Sequence, residues 1–241
     1  MFDFFKRRKI RRGDLPVLLI TGMKREAACA AGDGVITLCS SASAAQLRQS
    51  LERLKGQDFG AVISFGLAGG LDPALRPGDA IVAREIIAQG ARYAVHPRLA
   101  AAMIDAVAKT GRAPVSDALV GVDQMAMDVA AKTALRKQTG AAAVDMESHI
   151  AAAFAKANRT PFAAVRVVAD PATRTLPPLA AKAITPDGDI DYGYVTRELI
   201  RAPGQIGELI RTGLDSRAAF STLGRVGPAL GPLLRLMLAD L

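Results

Sequence analysis

Ala61-Val-Ile-Ser-Phe65, running directly into Gly66-Leu-Ala-Gly-Gly70, is the stretch on which the reading of the whole chain turns. Its apolar start is too short for a helix and is closed by glycine, so it reads as a buried strand. The glycines after it read as a loop, which either turns tightly or brings bare backbone N–H groups up to a ligand. Working outward, short strand candidates recur at Leu15–Ile20, Val35–Leu38, Ala80–Ala83 and Phe162–Val168. Helical spacing fills the intervals. Ser43–Leu54 aligns Ala44, Leu47, Leu51 and Leu54, and Pro97–Lys109 aligns Leu99, Met103, Ile104 and Val107 before Thr110-Gly111. Met146, Ile150, Ala153, Phe154 and Ala157 make another apolar stripe. Strands alternating with helices predict an α/β domain around a central, mostly buried sheet.

Composition narrows the class. With 241 residues, half of them hydrophobic and 22% charged, the chain is ordinary globular material rather than a disordered one. The net charge of +8 suggests nucleic acid until it is divided: residues 1–12 carry six basic side chains against Asp3, and hence +5 of it. No nucleic-acid partner is therefore expected. Cys29 and Cys39 are too few for a disulfide framework or a four-ligand metal site, and both read as small buried residues. No apolar run approaches a membrane span. Leu15–Ile20 imitates a signal peptide core, but Lys24, Arg25 and Glu26 follow where a cleavage region is uncharged, so a cytoplasmic protein is expected.

The alternating pattern breaks near Pro171. Residues 1–14 read as a basic and aromatic tail, 15–170 as the catalytic domain, and 171–241 as a partly helical C-terminal extension packed on it or mobile.

In open α/β sheets ligands collect beyond the carboxyl ends of strands. Polar residues just after predicted strands are therefore the candidates: Thr21–Glu26, the glycine stretch, Asp145-Met146-Glu147 and Asp170. Three acidic groups and one glycine loop fall on one rim, a convergence that points to a catalytic site. Each has a plainer reading as well. Glu147 suits the first turn of a helix through the helix dipole, and Asp170 before Pro171 suits a turn. The glycine stretch lacks both the GxGxxG and GxxxxGK[ST] patterns, and no cofactor or metal is expected. His96 and His149 have neither triad nor metal spacing and read as structural. Arg166, inside an apolar strand, is expected to pair with an interior acid.

Taken together, Ser64-Phe-Gly-Leu-Ala-Gly-Gly-Leu-Asp-Pro-Ala-Leu-Arg-Pro-Gly-Asp79, Ala143-Val-Asp-Met-Glu147 and Val165-Arg-Val-Val-Ala-Asp170 resemble the type-I nucleoside phosphorylase and nucleosidase family. The resemblance implies a mixed, twisted central sheet flanked by helices, in homodimers or larger homo-oligomers. Gly22-Met-Lys-Arg-Glu26 resembles the nucleosidase branch, in which a glutamate activates water; the Gly-Asp-Pro phosphate loop of phosphorylases is missing. The resemblance further implies Asp170 as the acid serving purine N7, and Met146 and Glu147 as the ribose holders. Gly66, Leu67, Ala68 and Gly69 form the substrate-binding glycine segment, and Met125 and Ala126 cover the base, Met125 standing where an aromatic is common.

Asp187-Gly-Asp-Ile-Asp-Tyr-Gly193, Arg201-Ala-Pro-Gly-Gln-Ile206 and Leu214-Asp-Ser-Arg-Ala218 resemble the hopanoid-associated members of that family. They imply adenine release from adenosylhopane with water as co-substrate. Phosphorolysis, with Lys24, Arg25 or Arg76 on phosphate, is the nearest alternative. Action on methylthioadenosine or adenosylhomocysteine follows, and a non-catalytic membrane or nucleic-acid adaptor is the alternative from another class. Phe2, Phe4 and Phe5 before the basic cluster, with apolar Gly227–Leu241, suggest peripheral contact with an anionic inner-membrane surface.

Overall fold

The computed structural model describes residues 12–178, 185, 187–201, 204 and 206–239. The N-terminal tail proposed for membrane contact lies almost wholly outside the described residues, as do the side chains from 232 onward. A 3-10 turn at Arg12–Asp14 leads into β1 (Val17–Thr21), α1 (Lys24–Ala30), β2 (Val35–Cys39), α2 (Ala44–Glu52) and β3 (Ala61–Gly70). Then come β4 (Ala80–Ala88), β5 (Ala91–Ala94), α3 (Pro97–Ala108), β6 (Val115–Gly121) and α4 (Val129–Thr139). The chain continues through β7 (Ala143–Asp145), α5 (Ser148–Ala157), β8 (Phe162–Asp170), α6 (Tyr192–Arg201) and α7 (Ile206–Ala239).

The eight strands form one mixed sheet flanked by helices, the expected α/β architecture. β1 lies parallel between β2 and β3, and β3 runs parallel to β8. β8 pairs antiparallel with β4, β4 parallel with β6, β6 parallel with β7, and β7 antiparallel with the far end of β3. Those five strands therefore close a circuit, while β1, β2 and β5 extend from it. Continuous apolar runs such as Val17–Ile20 and Ala61–Ile63 are buried because both sheet faces are covered.

Three features differ from the sequence reading. The glycine stretch is the second half of β3 rather than a loop after it. The strand stays paired with β8 through a register shift between Ala68 and Gly69, while Gly69 and Gly70 pair with β7 as well, and glycine inside a strand marks such bulges and close approaches. β5, β6 and α4 carried too little apolar periodicity to be seen: of the α4 side chains, only that of Lys132 is buried. Cys29 and Cys39 are half-buried rather than buried, Cys39 because it ends the edge strand β2.

The C-terminal helix α7 packs against α1, α3 and β8. Ala219, Phe220, Leu223, Val226 and Leu230 form its buried stripe at helical spacing. At Gly227 the helix meets α1 so closely that a Cβ would stand 2.0 Å from the Cys29 carbonyl oxygen. Gly224, one turn earlier, has open space around it. Gly227→Ala is therefore expected to destabilise the protein by about 1–3 kcal/mol through overpacking. Gly224→Ala should instead stabilise it by roughly 0.5–1 kcal/mol, the ordinary gain of alanine over glycine in a helix. Chemical denaturation of both variants checks the pair, and equal shifts would contradict the close crossing.

Candidate active site

A cavity of about 210 Å³ opens where β1, β3, β7 and β8 end. Six charged side chains, Glu26, Lys132, Asp145, Glu147, Arg166 and Asp170, meet in or behind its wall. Glu26 sits in the first turn of α1, where its Oε2 accepts from the Gly22 and Met23 amides at 2.6 and 2.9 Å. Its Oε1 accepts from the Leu67 amide of β3 at 2.8 Å. Burial pushes this carboxyl above the ordinary range, against the pull of Arg166 and the three amides. Such a group is a stronger base than a free glutamate and already has its orientation fixed.

Glu147 stands at the junction of β7 and α5. Its Oε1 accepts from Ser40 Oγ at 2.9 Å, and its Oε2 lies 3.3 Å from Arg166 Nη2. The carboxyl is pushed up to about 7, first by burial, which the Arg166 charge opposes and the neighbouring Asp145 and Glu26 reinforce. Arg166 itself is fully buried in β8, with Nε 2.6 Å from Asp145 Oδ2 and Nη2 donating to Ser64 Oγ at 2.6 Å. Asp145 also accepts from the hydroxyl of Ser148. The interior acid expected for Arg166 is thus Asp145, while Glu147, two residues on, is aimed separately into the cavity.

Asp170 ends β8 at another part of the wall and forms an ion pair with Lys132 of α4. Burial raises its carboxyl, and the Lys132 ammonium opposes that rise. Leu67, Ala68, Gly69, Met125, Ala126 and Met146 also line the cavity, together with Gly22 and Glu147. Gly66 lies behind the lining, where a Cβ would stand 2.7 Å from both the Glu26 carboxyl and Arg166 Nη1. That crowding, with φ at +156°, accounts for glycine here.

Several residues in or behind the wall escaped the reading of the site. Ser40 follows β2 and obeys the same polar-after-strand rule as the others, so its signal was available. Lys132, Leu176 and Thr212 gave none, and Ser216 stood only within the Leu214–Ala218 motif. Thr212 and Ser216 come from α7, so the C-terminal helix supplies part of the wall. Asp215, between them, pairs with Arg174. Lys24 pairs instead with Asp189 at 2.8 Å, and the Arg25 guanidinium lies 4.0 Å over the Phe220 ring. Neither they nor Arg76 line the cavity. His149 Nε2 lies 2.9 Å from Asp123 outside it, and His96 precedes α3. A wider groove of about 1000 Å³ lies beyond Gly121–Asp123, but the buried acids do not converge there.

Three solved structures share this architecture. The 5′-methylthioadenosine/S-adenosylhomocysteine nucleosidase of Neisseria meningitidis, in complex with methylthio-immucillin-A, aligns at 18% identity and a TM-score of 0.66, covering 89% of this chain and 97% of that one. The Helicobacter pylori 5′-methylthioadenosine/S-adenosylhomocysteine nucleosidase aligns at 13% identity and 0.63, covering 94% and 99%. Futalosine hydrolase of Helicobacter pylori strain 26695 aligns at 14% identity and 0.57, covering 65% and 88%. No curated protein matches by sequence. The fold is that of nucleoside phosphorylases and nucleosidases. Residues 5–185 match the family profile of the Phosphorylase superfamily, and the chain belongs to that superfamily.

The raised Glu147 carboxyl has a consequence for stability. An unperturbed glutamate titrates near 4.5, and this one near about 7. Between those values the native state binds the proton more tightly than the unfolded chain, so stability falls as pH rises through that window. In Glu147→Gln this contribution disappears. The difference in melting temperature between variant and wild type is expected to move in the variant's favour from about pH 5 to about pH 8. Parallel melting curves across that range would contradict a raised Glu147.

Proposed function

We propose that this protein hydrolyses the N-glycosidic bond of an adenosyl substrate and releases adenine, and that the substrate is adenosylhopane. The observation that carries the reaction class is the placement of two carboxyls along β3. Glu26 packs at Gly66 and Leu67, and Asp170 packs at Gly69, where a Cβ would be 3.2 Å from its Oδ2. Three strand residues span about 10 Å, which leaves room for a nucleoside between the two acids.

Bond cleavage leaves positive charge on the sugar and negative charge on the departing base. Glu26 takes a proton from water as its oxygen attacks the sugar carbon. Asp170 gives a proton to the purine as the bonding pair moves onto the base, a general acid effect of about 10²–10⁴-fold. Glu147, held by Ser40 and Arg166 at the cavity wall, accepts from the ribose hydroxyls. Water rather than phosphate is favoured as co-substrate because, among the described residues, no lysine or arginine lines the cavity. A bound phosphate dianion needs such a partner or a set of free backbone amides.

Adenosylhopane is favoured by the C-terminal motifs, one of which supplies a residue of the cavity wall and another of which packs on α1. Ser216 lines the cavity, and the Asp187–Gly193 segment anchors α1 through Lys24–Asp189 and a Lys24 amide bond to Gly188. The outward face of α7, opposite Thr212 and Ser216, carries Ile210 and Leu214, which are 58% and 59% exposed. They give a lipid surface an apolar patch on the side of α7 away from the cavity. Methylthioadenosine, named with the fold relatives, is the comparison substrate.

Purified protein incubated with adenosylhopane, with and without phosphate, is expected to give adenine and ribosylhopane in both cases, read by mass spectrometry. A sugar phosphate as sole product would overturn hydrolysis, and turnover confined to methylthioadenosine would overturn the hopanoid assignment. Asp170→Asn should keep the fold and lose about 10²-fold or more in turnover. Near-normal turnover in that variant would return Asp170 to a turn role.

A further inference from the structure

We propose that Lys132 is a positioning residue for Asp170: its buried ammonium fixes the carboxyl at the cavity wall and stabilises the carboxylate left when the proton passes to the base. The inference rests on the role given to Asp170 above. It starts from an anomaly of burial. α4 is a solvent-covered helix whose only buried side chain is a charged one, Lys132, with 1% of it exposed. Burying an ammonium is costly unless every donor is matched, and a well-packed apolar side chain at the same place stabilises as much or more. A lysine there calls for a reason other than stability.

Its donors are all engaged. Nζ donates to Asp170 Oδ2, to the Pro171 carbonyl at 3.0 Å and to the Arg174 carbonyl at 2.9 Å. An ammonium has three N–H groups, so none is left for a ligand. Lys132 also lies outside the cavity lining, whereas Asp170 is part of it and keeps 12% of its side chain exposed. Whatever Lys132 does in catalysis, it does through Asp170. The same three bonds hold residues 170–174 against α4, and the Leu176 amide adds a 2.7 Å bond to the Met127 carbonyl. Met125, Ala126 and Leu176 line the cavity on either side of this seam.

The charges facing Asp170 are few. Lys132 comes from α4, and Arg174, from the segment after β8, acts at longer range while paired with Asp215 of α7. The neighbouring β3 residues Gly69 and Gly70 carry no charge. Burial favours the protonated acid and the ammonium favours the carboxylate. During cleavage the proton leaves Asp170 for the base, the electron pair of the C–N bond goes to the base, and Asp170 becomes a carboxylate beside an ammonium already in place. No reorganisation is needed at that moment, which is how preorganised charge lowers a barrier.

The test compares Lys132→Met, which keeps length without charge, and Lys132→Gln, which keeps donors without charge. Turnover of the adenosyl substrate is followed against pH, with folding checked by circular dichroism. Both variants are expected to lose roughly tenfold or more in kcat with KM little changed. The descending limb of the pH profile should move to higher pH, because Asp170 without its ammonium holds the proton longer. In an Asp170→Asn background, Lys132→Met should cost nothing further, since the two act as a unit. A 4-nitrophenyl riboside, whose leaving group needs no proton, should be cleaved equally by wild type and both variants. An unmoved limb, additive losses, equal losses on the nitrophenyl riboside, or loss of the fold in both variants would each overturn the proposal. Those outcomes are separate from failure of the parent reading, which would appear as near-normal turnover in Asp170→Asn alone.

Discussion

A guanidinium with no exposure to water must be surrounded by acceptors, and Arg166 imposes that requirement on the centre of this protein. Asp145 supplies the close carboxylate, Ser64 and the Leu67 carbonyl take further N–H bonds, and Glu147 stands at the remaining edge. Three strands and the start of α5 are therefore tied to one side chain. The cluster also carries more acid than base: Glu26, Asp145 and Glu147 share one arginine. Burial raises the Glu26 and Glu147 carboxyls against the pull of that arginine, and at Glu147 the neighbouring Asp145 and Glu26 add to the rise. The chemistry of the cavity depends on a charge that the cavity itself does not contain.

β3 carries the geometry. It pairs with β8 along nearly its whole length, with β1 along its first half and with β7 at its end, so it passes through the middle of the sheet and then across the floor of the site. Its glycines admit side chains from either direction, Glu26 and Arg166 at Gly66 and Asp170 at Gly69. A side chain at either position would compete for space with a charged group. Its pairing with β8 continues past the bulge after Ala68, so candidate residues from distant parts of the chain meet along a single strand.

The C-terminal part completes the wall rather than merely covering the core. α7 lies on α1, α3 and β8 through an apolar stripe, and its Thr222 hydroxyl donates to the Gly78 carbonyl at 2.9 Å. Higher along the same helix, Thr212 and Ser216 face the cavity, and Asp215 holds Arg174, whose carbonyl in turn holds Lys132. The helix thereby touches the seam around Asp170 as well as the cavity itself.

Local order was legible in the sequence. Strands β1, β2, β3, β4 and β8 and helices α2, α3 and α5 follow from short apolar runs and helical stripes, because burial on both sheet faces demands them. The rim acids Glu26, Glu147 and Asp170 were legible too, since each follows a strand directly. Ala91–Ala94 and Val115–Gly121 were not, for a strand held by pairing partners needs no strong apolar signal of its own. Nor could the sequence tell that Gly66–Gly70 is strand: pairing with β8 and, at its end, with β7, both far along the chain, makes it one. Spacing alone identified a set of acids. Which of them is paired, which is raised and which faces the cavity depends on Arg166, Ser40 and Lys132, brought in from other elements. Pairing and desolvation are properties of neighbours in space, and those neighbours exist only once the chain has folded.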